Sequence, residues 1–401
     1  MPRIRLAAVT ILILVLAAVS ACGSSSGQSS DEPQLDSNSS GGDATQTTLE
    51  QQESPPAEAS TPEDPGASAE AGPVEVQTSV LATNLEAPWD VAFLPDGDAL
   101  VTERDSGRVL SVSPSGEIEE VQTLPADGSG EGGLLGLALS PDYENDGFVY
   151  AYYTTAEDNR VVRFRLGEEP EPILTGIPVN TYHNGGRISF GPDGLLYVGT
   201  GDAGNTANSQ DPNALGGKIL RINPDGSVPA DNPFPDNPVY SYGHRNVQGL
   251  AWDAEGRLYA TEFGQNTYDE VNLIEPGQNY GWPNVEGDGG EAQGYVDPIS
   301  TWATSEASPS GAAILTAGEI PQWQGDFFMA ALRGERLWRL DLDQNGAVAG
   351  REELLVGQAG RLRHVAQAPD GSLWILTNNR DGRGSPIPDD DRILRLAPAE
   401  G

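Results

Sequence analysis

The chain of 401 residues has a single cysteine, Cys22, and three histidines. With no second cysteine there is no intrachain disulfide, so even in an oxidising compartment the fold must rest on its core, with bound metal as an optional aid. Positive charge is scarce: 22 Lys and Arg stand against 60 Asp and Glu, a formal charge of −38. Nucleic acid and anionic lipid are therefore poor partners and divalent cations better ones, while most of the acidic charge serves as solvated surface. Long amphipathic helical periods are missing. So are a P-loop, a Rossmann glycine motif beside a helix, a Gly-x-Ser-x-Gly elbow and a His-Glu-x-x-His pair, which disfavours nucleotide and zinc chemistry.

What is present begins at the N-terminus. Arg3 and Arg5 precede the apolar run LAAVTILILVLAAV and then VSAC, ending at Cys22. The run is too short to span a bilayer and ends among small residues, which reads as an export signal over 1–21. VSAC resembles a bacterial lipobox, so Cys22 is the expected lipidation site. Residues 22–76 lack aromatics and any sustained hydrophobic pattern, and are expected to form a disordered acidic tether rich in Ser, Gly, Pro and Glu. The protein is thus expected outside the cytoplasm, attached to the outer face of the bacterial membrane by its lipid alone.

Residues 77–401 contain six similar stretches, among them VAFLPDGDALVTERD, ISFGPDGLLYVGTGD and VAQAPDGSLWILTNN. Each is an apolar strand, a tight turn near 95, 141, 192, 253, 324 or 369, and a second alternating strand. Pro presets φ, Asp bonds its own backbone and Gly accepts positive φ, so these triplets are hairpin connections. Strands recurring at irregular intervals of this size predict an all-β, six-bladed β-propeller. A β-sandwich array is the alternative. The widest interval, between the third and fifth turns, holds most of the unusual chemistry.

Several residues can carry that chemistry. His183 lies in YHNGGRISFGPDGLLYVGTGDAGN, as a base or as a polar turn residue. GHRNVQGLAWD places Arg245 and Asn246 beside His244. Asp269 and Glu270, between glycine-containing turns, suit a hard cation or are solvated loop acids, in no EF-hand spacing. Arg361 and Arg363 share one face of a strand, to grip a planar anion or to guard an edge. Arg333 is equally open.

In their order, LEAPWDVAFLPDG, GEGGLLGLALSPD, HNGGRISFGPDGLLYVGTGD, LGGKILRINPDG, GHRNVQGLAWD, YDEVNLIEPGQNYGWP and GRLRHVAQAPDGSLWILT resemble the soluble pyrroloquinoline-quinone (PQQ)-dependent sugar dehydrogenases, the glucose and sorbosone dehydrogenase family. The resemblance implies a six-bladed propeller with PQQ and calcium in a basic cleft, oxidising an aldose to a lactone. It makes His183 the general base. It assigns Arg245 and Asn246 to the quinone, with Arg245 stabilising developing charge, and Arg333, Arg361 and Arg363 to the cofactor carboxylates. The carbonyls of Gly264 and Gln265 would bind the cofactor calcium, while Glu270 and the Tyr280 carbonyl would hold a second calcium. A small sugar is the implied substrate, and a respiratory quinone or soluble carrier the electron acceptor.

Some positions depart from the glucose-oxidising members. Glu131 stands in place of a glutamine beside the sugar, Arg333 in place of a lysine and Gln265 in place of a proline. Tyr182 replaces an aspartate beside the base, which predicts a histidine without an acidic orienting partner. The competing function is an inactive cell-surface propeller that binds glycans or protein partners.

Overall fold

The structure, a computed structural model, describes residues 75–318 and 320–399. The signal peptide, Cys22 and nearly all of the expected tether lie outside the described residues. The described part is built of six four-stranded antiparallel sheets, the expected six-bladed propeller. Blades one to five take their strands in chain order, beginning with Pro88–Phe93, Leu134–Leu139, Ile188–Phe190, Val247–Trp252 and Pro309–Ile314. Blade six starts with Leu362–Gln367 and is completed by Val76–Ala82, which pairs antiparallel with Ile393–Pro398 from Val76↔Pro398 to Ala82↔Ile393. The first strand of the domain thus closes the ring by pairing with the last strand of the chain. It begins one residue before the expected boundary.

All six turns recognised in the sequence join the first and second strands of a blade. In blade one the Leu94 amide donates to Asp98 O at 2.7 Å and the Gly97 amide to Leu94 O at 3.0 Å, with Gly97 at φ +99°. The positive φ is why glycine ends the triplet. Blades three and six repeat the turn at Gly191–Leu195 and Ala368–Ser372. Blade two departs from it with a short helix, Tyr143–Asp146.

The core lies between neighbouring blades. Leu135 and Tyr152 of blade two pack with Ile188, Val198 and Leu220 of blade three, all buried. Burying each large side chain stabilises by about 1.5–3 kcal/mol relative to exposure. Around the axis the first strands supply polar groups instead. Arg363 donates to Gln248 Oε1 at 2.8 Å and to Asn378 Oδ1 at 2.9 Å, and Asp90 Oδ1 lies 2.5 Å from Arg187 Nη1 and 3.2 Å from His364 Nε2.

Antiparallel order divides the connections between two faces. The six repeated turns lie on one. The links between blades, and those between second and third strands, all emerge on the other, and Glu131, His183, Arg245, Gly264, Arg333 and Arg361 lie on such links.

Candidate active site

Those links enclose a cleft of three adjoining lobes, of about 230, 400 and 490 Å³. Trp89, Arg104, Arg363 and Asp381 line the first; Gly264, Gln265, Asp269, Arg333 and Arg361 the second; Tyr182, Asp202 and Trp282 the third. His183 and Arg245 border the second and third lobes, and Glu131 and Arg383 alone line all three. Much of this wall falls between the third and fifth turns, where the sequence placed the unusual chemistry.

His183 sits on the link between blades two and three at φ +58°, a backbone conformation rare outside glycine and typical of functional sites. Its Nδ1 lies 2.7 Å from Asp202 Oδ1. Asp202 comes from the link after the second strand of blade three, and its carboxylate also accepts from Gly204 N at 2.7 Å and from Trp282 Nε1 at 2.9 Å. Burial opposes its charge, but these bonds, led by that from His183, outweigh it and hold Asp202 below the usual carboxylate range. An ionised Asp202 keeps the His183 proton on Nδ1 and leaves Nε2, which has no partner among the described residues, as the acceptor nitrogen. The expectation drawn from Tyr182, that the histidine lacks an acidic partner, is therefore corrected: Asp202, nineteen residues on, supplies it. Tyr182 is half-exposed and sets its ring edge-on to His183, 4.7 Å between centroids.

Glu131 holds the same histidine from the other side. Its Oε2 accepts the His183 amide at 3.0 Å and its Oε1 pairs with Arg383 Nη2 at 2.8 Å. Burial works against the ionised form, yet the His183 amide and Arg383 keep Glu131 low. Glu131 is thus an acceptor at the junction of the lobes.

The arginines divide among the lobes. Arg245 donates to Phe263 O at 3.0 Å and through its amide to Glu262, stacks 5.4 Å over Trp282, and has a buried Nε without a partner. Asn246 is fully buried; its Oδ1 accepts Gly185 N at 2.9 Å and its Nδ2 has no partner. Arg333 is exposed in the second lobe. Arg361 pairs with Asp381 at 2.8 Å just ahead of strand Leu362–Gln367, where the register shifts between Leu362 and His364. The two strand arginines consequently face adjoining lobes, and both are buried rather than on an exposed edge.

Gly264 and Gln265 form part of the second-lobe wall. Asp269 accepts the amides of Gly264 at 2.9 Å and Ser308 at 2.6 Å, and burial pushes it up to about 6. Glu270 points elsewhere, accepting Gly287 N at 2.6 Å and Asn272 Nδ2 at 3.2 Å; burial and the nearby Glu262 push it up to about 8. Tyr280 stacks on His244 at 4.7 Å, and His244 Nδ1 lies 2.8 Å from Glu262. No cluster of three or more acidic, histidine or cysteine side chains suits a metal among the described residues, so a cation here would rest largely on carbonyls.

Asp202, Trp282, Arg383 and Glu286 were not singled out in the sequence. The first two lie in TGDAGN and NYGWP, stretches that carry the family resemblance. Arg383, in DGRG, had no such signal.

Over residues 85–394 the chain matches the Glucose / Sorbosone dehydrogenase family, and it belongs to that family. Among solved structures it is similar to the PQQ-bound aldose sugar dehydrogenase of Streptomyces coelicolor, 51% identical, with a TM-score of 0.75 over 82% of this chain and 99% of that one. Curated relatives include the aldose sugar dehydrogenase YliI of Escherichia coli, 30% identical over 78% of this chain and 92% of its own. The quinoprotein glucose dehydrogenase B of Acinetobacter calcoaceticus is 32% identical over 63% of each.

Proposed function

We propose that this protein is a PQQ-dependent aldose dehydrogenase that oxidises a sugar at its anomeric carbon to a lactone, with His183 as general base. The observation that carries the reading is the 2.7 Å pairing of His183 Nδ1 with an ionised Asp202 beside a cleft rich in arginine. The donor set suits the cofactor. Exposed Arg333 offers a guanidinium fork for its carboxylates, while Arg361 and Arg363, held by Asp381 and by Asn378 and Gln248, add positive charge beside them. Arg245 Nε and Asn246 Nδ2 are buried donors that a carbonyl-bearing ligand would satisfy. The Gly264 and Gln265 carbonyls suit a hard cation. When bound, the calcium-held quinone supplies the two-electron hydride acceptor.

The chain's own groups do the rest. His183 Nε2 takes the proton of the anomeric hydroxyl as the C1 hydride departs, and Asp202 stabilises the resulting imidazolium. Arg245 lies where it can offset developing negative charge. Glu131 and Tyr182, on the lobe that holds the base, contact the sugar. Glu270 and the Tyr280 carbonyl would hold a second, structural calcium, whose charge would offset the burial that favours the neutral form of Glu270. Cys22 carries the lipid that tethers the enzyme outside the cytoplasm, near a respiratory quinone or soluble carrier that takes the electrons.

The test is titration of the purified protein with PQQ and calcium, followed by identification of the product from a panel of aldoses. Micromolar quinone binding and lactone formation are expected. Absence of binding at those concentrations overturns the reading.

A further inference from the structure

The loop after strand Leu258–Glu262 is organised by one carboxylate. Glu286 Oε1 accepts four consecutive amides: Gln265 at 2.8 Å, Asn266 at 3.1 Å, Thr267 at 2.9 Å and Tyr268 at 3.1 Å. A trans peptide is planar, with its N–H and the preceding C=O directed oppositely. Aiming the Gln265 and Asn266 amides at Glu286 therefore turns the Gly264 and Gln265 carbonyls away from it. Both residues line the 400 Å³ lobe that also holds His183 and Arg245. Consecutive amides converging in this way form an anion-binding concavity, filled here by the chain's own carboxylate.

The loop has no slack at its start. A Cβ on Gly264 would lie 1.7 Å from Tyr268 O and 2.7 Å from Glu286 Oε1, so only glycine fits between them. The Gly264 amide is held separately by Asp269 Oδ1. Hydrogen bonds to a carboxylate also polarise the peptides that donate them, leaving more negative charge on their outward oxygens. Those oxygens become better ligands for a hard cation.

We propose that Glu286 is a positioning residue for the cofactor's cation: by occupying the amide side of the 264–268 loop, it presents the Gly264 and Gln265 carbonyls to the cleft. The inference rests on the calcium-dependent reading of the site. Glu286 touches neither cation nor sugar and acts through the backbone between them.

The test measures PQQ capture, by quinone absorbance and without sugar, at a series of calcium concentrations in wild-type protein, Glu286→Ala and Glu286→Gln. Removing an outer partner of a metal ligand commonly costs about 10–100-fold in affinity. The calcium midpoint for capture should rise by about 10-fold or more in Glu286→Ala. Glu286→Gln, which keeps one oxygen acceptor, should fall between, and saturating calcium should restore wild-type quinone affinity in both. An unchanged midpoint in Glu286→Ala overturns the proposal, as does a loss of quinone affinity that calcium does not rescue. Wild-type protein that captures no quinone at any calcium concentration overturns the functional reading itself, a result distinct from the other two.

Discussion

Asp202 Oδ1 stands 2.7 Å from His183 Nδ1, and the same carboxylate takes the indole N–H of Trp282 through its other oxygen. The histidine is thereby fixed in tautomer and orientation by groups from blades three and four. Asp202→Asn should lower kcat by roughly 10²-fold or more, since a misprotonated base forfeits most of general-base catalysis. Quinone binding should be unchanged. Stopped-flow dye reduction alongside a quinone titration separates the two effects.

Trp282 acts one bond further out. Trp282→Phe keeps an aromatic under Arg245 but removes the donor to Asp202, a hydrogen bond to a charged group worth about 1.5–3 kcal/mol. The expected result is a fall in kcat of about 10-fold or more, smaller than for Asp202→Asn, with KM little changed. Steady-state kinetics on one aldose provide the check.

Arg383 and Glu131 pair at 2.8 Å across the junction of the three lobes, with the arginine side chain 62% exposed. With its arginine in solvent and Glu131 keeping the His183 amide as a second partner, the pair contributes about 0–1 kcal/mol to stability, and Arg383→Ala should leave the melting temperature within a few degrees of wild type. Its kinetic effect should be larger, because Glu131 loses the partner that fixes it beside the sugar. A rise in KM for sugar without a matching loss of stability is the expected pattern, measured by calorimetry and initial rates.

Two carboxylates of the site should respond to acid in a defined direction. Asp202 and Glu131 have folded-state affinities for protons below their unfolded values, so the stability they contribute is present above about pH 4 and is lost as pH falls through the folded values. Glu131→Gln should flatten that acid limb, since it removes one of the two titrations. Melting temperatures from pH 7 down to pH 3 report the difference.

The ring of blades was legible because its signal is local. Each Pro-Asp-Gly or equivalent turn fixes its own hairpin, and the turns recur in every blade. The closure by Val76–Ala82 against Ile393–Pro398 joins the two ends of the domain and left no local mark. The cleft was legible where residues match the family's ordered stretches, as with His183, Arg245 and Arg361. It was not where a contact crosses the chain. Asp202 reaches His183 over nineteen positions and Trp282 reaches Asp202 over eighty, so the loss of the acid next to His183 read as the loss of its partner. Glu286 was hidden for a similar reason: it acts on backbone amides, which have no residue code.

The most direct test of quinone-dependent sugar oxidation at His183 is aldose-driven dye reduction by wild-type protein and His183→Ala, each loaded with PQQ and calcium. Aldose-dependent turnover in the wild type, lowered by about 10²-fold or more in a variant that still holds the quinone, is the predicted result. Undiminished turnover in His183→Ala, or none in quinone-loaded wild type, would contradict it.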